Sequence, residues 1–385
     1  MIAITAKALL TPLERIEQPI VLVEGKSVIK VATRTETEIP PGAKHFDYSE
    51  CVLAPGLVDI HIHGSAGHDV MQSDEQGLRR MEEFLAKRGI TSYYPTTVAA
   101  PLDATLRSLE WMANSIESSQ SNTGRAQALG IHLEGPFLSH IRRGVHLPEN
   151  LLQPSVDTFD KFWQSASGHV RVMTIAPELT GAVELIGEAN KRGVCVSIGH
   201  SDADLATARA GIASGARHAT HTFNAMRPLD HRAPGILGEV LSNPSVTADV
   251  IADGIHVHPT VVRFLLEAKG EEGAVLITDA ISAAGMPDGP YQLGGMDVEV
   301  KDGRVTRGGS LAGSVLTLDR AVRNVMEFAG WGLQKAVRIA SLNPASVSDA
   351  QQKGKIQAGA DADILALSEN GEVRATVIRG QIIEN

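Results

Sequence analysis

"GLVDIHIHG", residues 56–64, decides the architecture. Leu57, Val58, Ile60 and Ile62 make an apolar run of the kind that fills a buried strand, and glycine bounds it at both ends. Two histidines interrupt the run. Side chains alternate along a strand, so His61 and His63 share a face. Two imidazoles converging on one point suit a metal ion.

A buried strand needs neighbours on both sides, and the chain supplies them. Seven further apolar runs follow at residues 92–98, 128–135, 170–178, 194–201, 218–226, 246–257 and 274–280. Between most of them, apolar residues recur at three and four positions. This predicts helices over 75–88, 105–118, 182–192, 204–214 and 260–269, with a further helix at 317–329. Strand–helix alternation of this length predicts an α/β fold with a parallel sheet, and eight strands point to a closed (β/α)8 barrel of the TIM type. A doubly wound open sheet is the rival, but no glycine-rich dinucleotide fingerprint follows the first strand. The stretch 139–168 is longer than an ordinary connection and is expected to cover the site.

The two ends have another rhythm. "MIAITAKAL", "PIVLVEG" and "SVIKVAT" near the start, and "DADILALS", "EVRATVIRG" and "QIIE" near the finish, are short β-type runs separated by turns. Neither set can bury a core alone, so both are expected to pair into one small β-domain, 1–53 plus 350–385, beside a catalytic domain over 54–349.

Composition narrows the class. The chain has 385 residues, 43% of them hydrophobic, and a formal net charge of −10, which argues against nucleic acid or an anionic membrane as partner. No apolar run is long enough to span a bilayer. The opening "MIAITAKALLTP" lacks the pattern of a secretory leader, and the chain has only two cysteines, Cys51 and Cys195, so a cytoplasmic home is expected.

The ionisable residues inside apolar runs fall at strand ends. His61 and His63 close the first run, Glu134 the third, His200 the fifth and Asp279 the eighth, and His221 stands in the sixth. A lone histidine in such a run is more often a hydrogen-bonded core residue, and a lone Asp279 more often a helix cap. Six such groups at the end of a barrel where active sites form are a different matter, because ionisable groups are rarely buried without a partner. Histidine and carboxylate without thiolate suit Zn²⁺, Fe²⁺, Mn²⁺ or Co²⁺, with Zn²⁺ first. His132 and His218 are expected to face away from the axis in structural roles. His256 and His258, in "DGIHVHP", are expected to share a face in a loop.

These residues also carry a likeness. "PGLVDIHIHG" resembles the first-strand signature of the amidohydrolase superfamily. "GIHLEGPFL", "GHSDA", "THTFNAM", "ADGIHV", "TDAISAAG" and "GSLAGS", in that order, resemble the family that deacetylates N-acetylglucosamine 6-phosphate. The resemblance implies a (β/α)8 barrel with a small β-sandwich built from both termini. It implies hydrolysis of the acetamide of that sugar to glucosamine 6-phosphate and acetate. By motif match, Glu134, His200 and His221 would hold one metal, and His61 and His63, with Glu134 bridging, a second. The fourth run, "VRVMTIAPE", has no lysine to serve as the carboxylated bridge common in the superfamily. Asp279 would carry the proton from water to the departing amine. Val145, His146, Asn224, Ala225, His256, Leu311, Ala312 and Gly313 match substrate contacts, and Arg232 matches the phosphate-binding arginine, whose fork suits phosphate. Part of the phosphate pocket in the family comes from a neighbouring subunit, which implies a homodimer. Arg142 and Arg143 are expected on a charged loop face. The same enzyme acting on N-acetylgalactosamine 6-phosphate, or another amide hydrolase of the superfamily, is the nearer rival. A non-catalytic barrel is the remote one, since such proteins usually shed ligands.

Overall fold

The structure is a computed structural model and describes residues 1–11, 14–119 and 124–384. Ile2–Leu10, Arg15–Glu17, Pro19–Glu24, Ser27–Thr33 and Lys44–Pro55 join Ile364–Leu367, Val373–Ile378 and Gln381–Glu384 in one eight-stranded sheet. The two ends of the chain meet at Lys44–Pro55, which pairs parallel with Ile2–Leu10 and antiparallel with Ile364–Leu367. Ile4, Val21, Leu53, Ile364 and Val377 form the sheet's own apolar cluster.

Lys44–Pro55 then runs into the first strand of the second unit with only Gly56 between. The Gly56 N–H donates to the Asp363 carbonyl at 3.0 Å, and a Cβ there would lie 2.2 Å from Thr91 Oγ1, so no larger residue fits. Leu57–Ile62 pairs parallel with Ile90–Pro95. A second parallel sheet takes Ile131–Glu134, Val170–Ile175, Cys195–Ile198, Ala216–Ala219, Thr247–Ile251 and Ala274–Ile277 in chain order. Single parallel bridges, Thr96 to His132 and Ile62 to Ala280, connect the two sheets at both flanks. The strands are buried along almost their whole length, which explains their unbroken apolar runs in sequence.

The expected helices form with small shifts at their ends: Glu75–Lys87, Leu102–Ser119, Ala182–Lys191, Leu205–Ala213, Pro259–Gly273 and Leu318–Ala329. Asp74 and Asp204 cap two of them, accepting from Gly77 N at 2.7 Å and Thr207 N at 2.8 Å. The stretch 139–168 contains a short 3₁₀ turn, Pro148–Asn150, and the helix Val156–Ser165.

Two expectations on elements need correction. The run at 218–226 is a strand only over Ala216–Ala219; beyond it His221, Phe223 and Ala225 take positive φ, which ends the strand. Residues between the eighth strand and the last long helix form an antiparallel sheet of Gly289–Leu293, Met296–Lys301, Arg304–Arg307 and Ser310–Leu311 that the apolar-run pattern passes over. Its signal is alternation: Met296, Val298 and Val300 are buried, whereas Asp297, Glu299 and Lys301 are exposed. It packs on Val98 and Ile281 beside the site. Among the described residues, no helix is long and apolar enough to cross a membrane.

Candidate metal centre and active site

Six side chains from the C-terminal ends of the parallel strands meet at one point. The Nε2 atoms of His61 and His63 lie 3.2 Å apart, and those of His200 and His221 lie 3.1 Å apart. The Glu134 carboxylate stands between the pairs. Its Oε1 is 3.1 Å from His221 Nε2 and 3.2 Å from His200 Nε2; its Oε2 is 3.3 Å from His63 Nε2 and 3.4 Å from His61 Nε2. Asp279 Oδ1 lies 3.1 Å from His63 Nε2 and 3.5 Å from His61 Nε2. All six side chains are buried.

This donor set fits a divalent cation. Ligands 2.0–2.1 Å from a tetrahedral ion sit about 3.3 Å from one another, close to the spacings here. Two rings are oriented for the task. His63 Nδ1 donates to the Thr96 carbonyl at 3.0 Å and His200 Nδ1 to the Arg142 carbonyl at 2.9 Å, which leaves each Nε2 as the nitrogen that would face a cation. Two sets of three, His61–His63–Asp279 and Glu134–His200–His221, are each compact enough to hold an ion.

Electrostatics follow from burial and proximity. Burial opposes the charge on Asp279 and on Glu134, but the surrounding imidazoles win, holding Asp279 at about 2 and Glu134 well below the usual carboxylate range. Burial also opposes charge on His63 and His221, yet the neighbouring carboxylates raise them to about 10 and about 9. A cation entering the site therefore competes with protons.

The backbone aims three of the six residues. His200, His221 and Asp279 have φ of 47°, 29° and 49°, in the left-handed region that non-glycine residues rarely take. Such strain persists where the surroundings impose it, and it clusters at functional sites.

The sequence of residues 52–383 matches the model of the amidohydrolase family. The chain belongs to that family. An N-acetylglucosamine-6-phosphate deacetylase of Lysinibacillus sphaericus is 36% identical over 370 residues, covering 96% of this chain and 94% of its own. An N-acetylgalactosamine-6-phosphate deacetylase of Escherichia coli O157:H7 is 37% identical, covering 86% and 87%. Among solved structures, the N-acetyl-D-glucosamine-6-phosphate deacetylase of Mycobacterium smegmatis, a mutant in complex with N-acetyl-D-glucosamine-6-phosphate, superposes with a TM-score of 0.92 at 31% identity. It covers 100% of this chain and 99% of its own.

In this amidohydrolase a cavity of about 440 Å³ opens above the six groups. His63, Glu134, His200, His221 and Asp279 reach it, with Val145, His146, Asn224, Ala225, His256, Leu311 and Gly313 on its walls. His146 is buried beside His200, and burial first, then that neighbour, lowers it to about 3, so it stays neutral. Its Nδ1 accepts from the Ala99 N–H at 3.1 Å, so Nε2 carries the proton, and this Nε2 lies 3.9 Å from Glu134 Oε2. Gly313 is required as such: its φ is 69°, and a Cβ would lie 2.5 Å from Ile281 Cγ2.

Several sequence expectations change here. Arg232 does not reach the cavity of its own chain; it is exposed, on a turn where its N–H donates to Asp230 Oδ1 at 2.8 Å. Ala312 is buried but does not line the cavity, because Leu311 and Gly313 face it instead. Arg142 and Arg143 do line it, rather than forming only an outer charged face. His256 lines the cavity with Nδ1 2.7 Å from Asp253 Oδ2. His258 instead caps the following helix through Thr260 N at 3.2 Å.

His132 and His218 are structural but do not face away. His132 stands two positions before Glu134, so alternation puts it on the same face one layer deeper, with its ring 4.6 Å from that of His61. Both its nitrogens are satisfied, by the Ile60 carbonyl and Thr174 Oγ1, each at 2.8 Å. His218 pairs with Thr247 Oγ1 at 2.7 Å and Asp249 Oδ2 at 3.0 Å.

Two buried aspartates went unread in the sequence. Asp249 accepts the His221 backbone N–H as well as His218. Asp59 accepts from His61 N and Thr278 N at 3.3 Å each and from Thr278 Oγ1 at 2.6 Å, although burial pushes its pKa up to about 6. The clue was present: both carboxylates interrupt apolar strand runs, "LVDIHIH" and "VTADVIA", where charge is costly without a partner.

Proposed function

We propose that this chain hydrolyses the acetamide of N-acetylglucosamine 6-phosphate, yielding glucosamine 6-phosphate and acetate. One observation carries the chemistry: Glu134 sits with one oxygen toward each histidine pair while Asp279 lies 3.1 Å from His63, all at the floor of one cavity. Glu134, His200 and His221 would hold one divalent cation, Zn²⁺ first, and His61, His63 and Asp279, with Glu134 bridging, a second. A cation bound there supplies activated water at neutral pH and polarises a carbonyl.

The chain's own groups do the rest. Asp279 is ionised and accepts a proton from the attacking water, then returns it to the departing nitrogen. His146, on the cavity wall with its proton on Nε2, would donate to the acetamide oxygen as it gathers charge. Asn224, held by its Nδ2 contact to the His221 carbonyl at 3.3 Å, lies with Ala225 and His256 where the sugar would bind. Leu311 and Gly313 close the other wall.

Arg232 serves the phosphate from a second copy of the chain in a homodimer; its exposed turn and the exposed Leu229 beside it support that reading. The two bridged parallel sheets support a closed (β/α)8 barrel over 54–349, and the joined terminal strands support a separate β-sandwich domain over 1–53 plus 350–385. Two buried, free cysteines support a cytoplasmic home.

The relative from Escherichia coli O157:H7 favours one second reading, deacetylation of N-acetylgalactosamine 6-phosphate, which differs at a single hydroxyl. Steady-state assays of the cation-loaded protein on both sugars, with and without phosphate, separate the two. The proposal expects higher kcat/KM on phosphorylated N-acetylglucosamine, and Arg232→Ala should raise KM for phosphorylated sugar alone. Preference for the galactose epimer would establish the second reading.

A further inference from the structure

Beneath the cavity rim, Asp202 holds three segments of the site together. Its Oδ1 accepts from Arg142 Nε at 2.8 Å and its Oδ2 from Arg227 Nη2 at 2.9 Å. Arg142 belongs to the 139–146 loop, which carries His146. Arg227 follows directly on the turn that carries Asn224 and Ala225. Asp202 itself lies two residues after His200. Glu178 fixes it there by accepting from Asp202 N at 2.6 Å and from Ser201 Oγ at 2.7 Å.

The loop is also tied to His200 directly. Ser139 N donates to the His200 carbonyl at 3.0 Å, and His200 Nδ1 donates to the Arg142 carbonyl at 2.9 Å. The Arg142 carbonyl thus sets which nitrogen of His200 is free for a cation, and the Arg142 side chain is anchored by Asp202. Gly144 touches the same ring, since a Cβ there would lie 3.2 Å from His200 Cε1, and the His146 ring stands edge-on to it at 4.9 Å. A loop held this closely to one ligand cannot shift without releasing that ligand's second nitrogen.

We infer that Asp202 is a positioning residue that clamps the 139–146 loop and the Asn224–Ala225 turn onto the cation site through Arg142 and Arg227. The inference takes the six-residue cluster to be a cation site, and its effect on sugar binding rests on the deacetylase reading. Outer partners of metal ligands cost about 10- to 100-fold in affinity or activity when lost. Asp202 acts one step further out, so the lower end is expected.

The test is Asp202→Asn, which keeps shape and removes charge, with Asp202→Glu as the conservative rescue. Zn²⁺ affinity is measured by competition with a chromophoric chelator, alongside kcat and KM for N-acetylglucosamine 6-phosphate. Expected are about 10-fold weaker Zn²⁺ binding and a raised KM in Asp202→Asn, with part of both recovered in Asp202→Glu. Should Asp202→Asn fail to fold, Arg142→Gln gives the same readout, because it frees the loop and leaves the carbonyl in place. Unchanged Zn²⁺ affinity and KM in a folded variant, whatever its melting temperature, would overturn the clamp. Weaker Zn²⁺ binding in a protein with no deacetylase activity would sink the functional reading and leave the clamp standing.

Discussion

Two layers of histidine sit one above the other in this protein, and they behave differently. In the lower layer, His132 and His218 each have both ring nitrogens matched to a carbonyl, a hydroxyl or a carboxylate. In the upper layer, four Nε2 atoms face each other and share one glutamate. Both layers are buried, and both belong to the apolar runs that form the parallel strands or end them. Burial and residue type therefore do not separate a ligand from a core histidine. What separates them is the fate of the second nitrogen: matched below, converging above.

Substitutions in the upper layer test that contrast most severely. Glu134→Gln removes the charge that both histidine pairs share. It should lose the cation on dialysis and cost more in turnover than the ~10- to 100-fold of an outer partner; metal analysis and an activity assay check both. Asp279→Asn should retain the cation of the Glu134–His200–His221 set by metal analysis, yet lose on the order of 10²-fold or more in kcat, because proton transfer to the departing nitrogen is removed. Wild-type turnover in that variant would strip Asp279 of its role.

Acidity gives a graded test. His63 and His221 hold protons up to about 10 and about 9, and a cation binds only the neutral rings. Apparent affinity should therefore rise from pH 7 to pH 9, by up to ~10-fold per unit for each proton displaced. Calorimetric titration in buffers of differing ionisation enthalpy counts those protons, and a flat profile would contradict it. The smallest effect on the site is expected in the lower layer. His132→Phe takes the ring's donor from the Ile60 carbonyl, which costs roughly 1–3 kcal/mol of stability, whereas Thr174 Oγ1 keeps Thr220 Oγ1 at 2.8 Å. Cation affinity should stay within about twofold. A large loss of affinity would erase the distinction between the layers.

How legible was this in the sequence? The "DIHIH" alternation and the strand-end positions of Glu134, His200, His221 and Asp279 were enough to bring six groups to one place. Helix bounds were readable because the caps Asp74 and Asp204 sit where the periodicity begins. The depth of His132 was misread: it stands two positions before Glu134, so alternation puts the two on one face, one layer apart. The aim of His200, His221 and Asp279 was not readable, since positive φ at a non-glycine residue leaves no mark in composition. The sheet around Met296–Lys301 was missed because its alternating pattern differs from the unbroken runs of buried parallel strands. Arg232 matched a motif, but a motif does not place a side chain, and this one is exposed, outside the cavity of its own chain.

The single residue between Lys44–Pro55 and Leu57–Ile62 has a practical bearing on engineering. Gly56 leans on the Asp363 carbonyl, so the strand that delivers His61 and His63 is registered against the segment that leads into Ile364–Leu367. A shortened version ending before Asp363 should not yield a self-sufficient catalytic core. Fusion partners are better placed on surface turns away from this seam than used to replace either terminus.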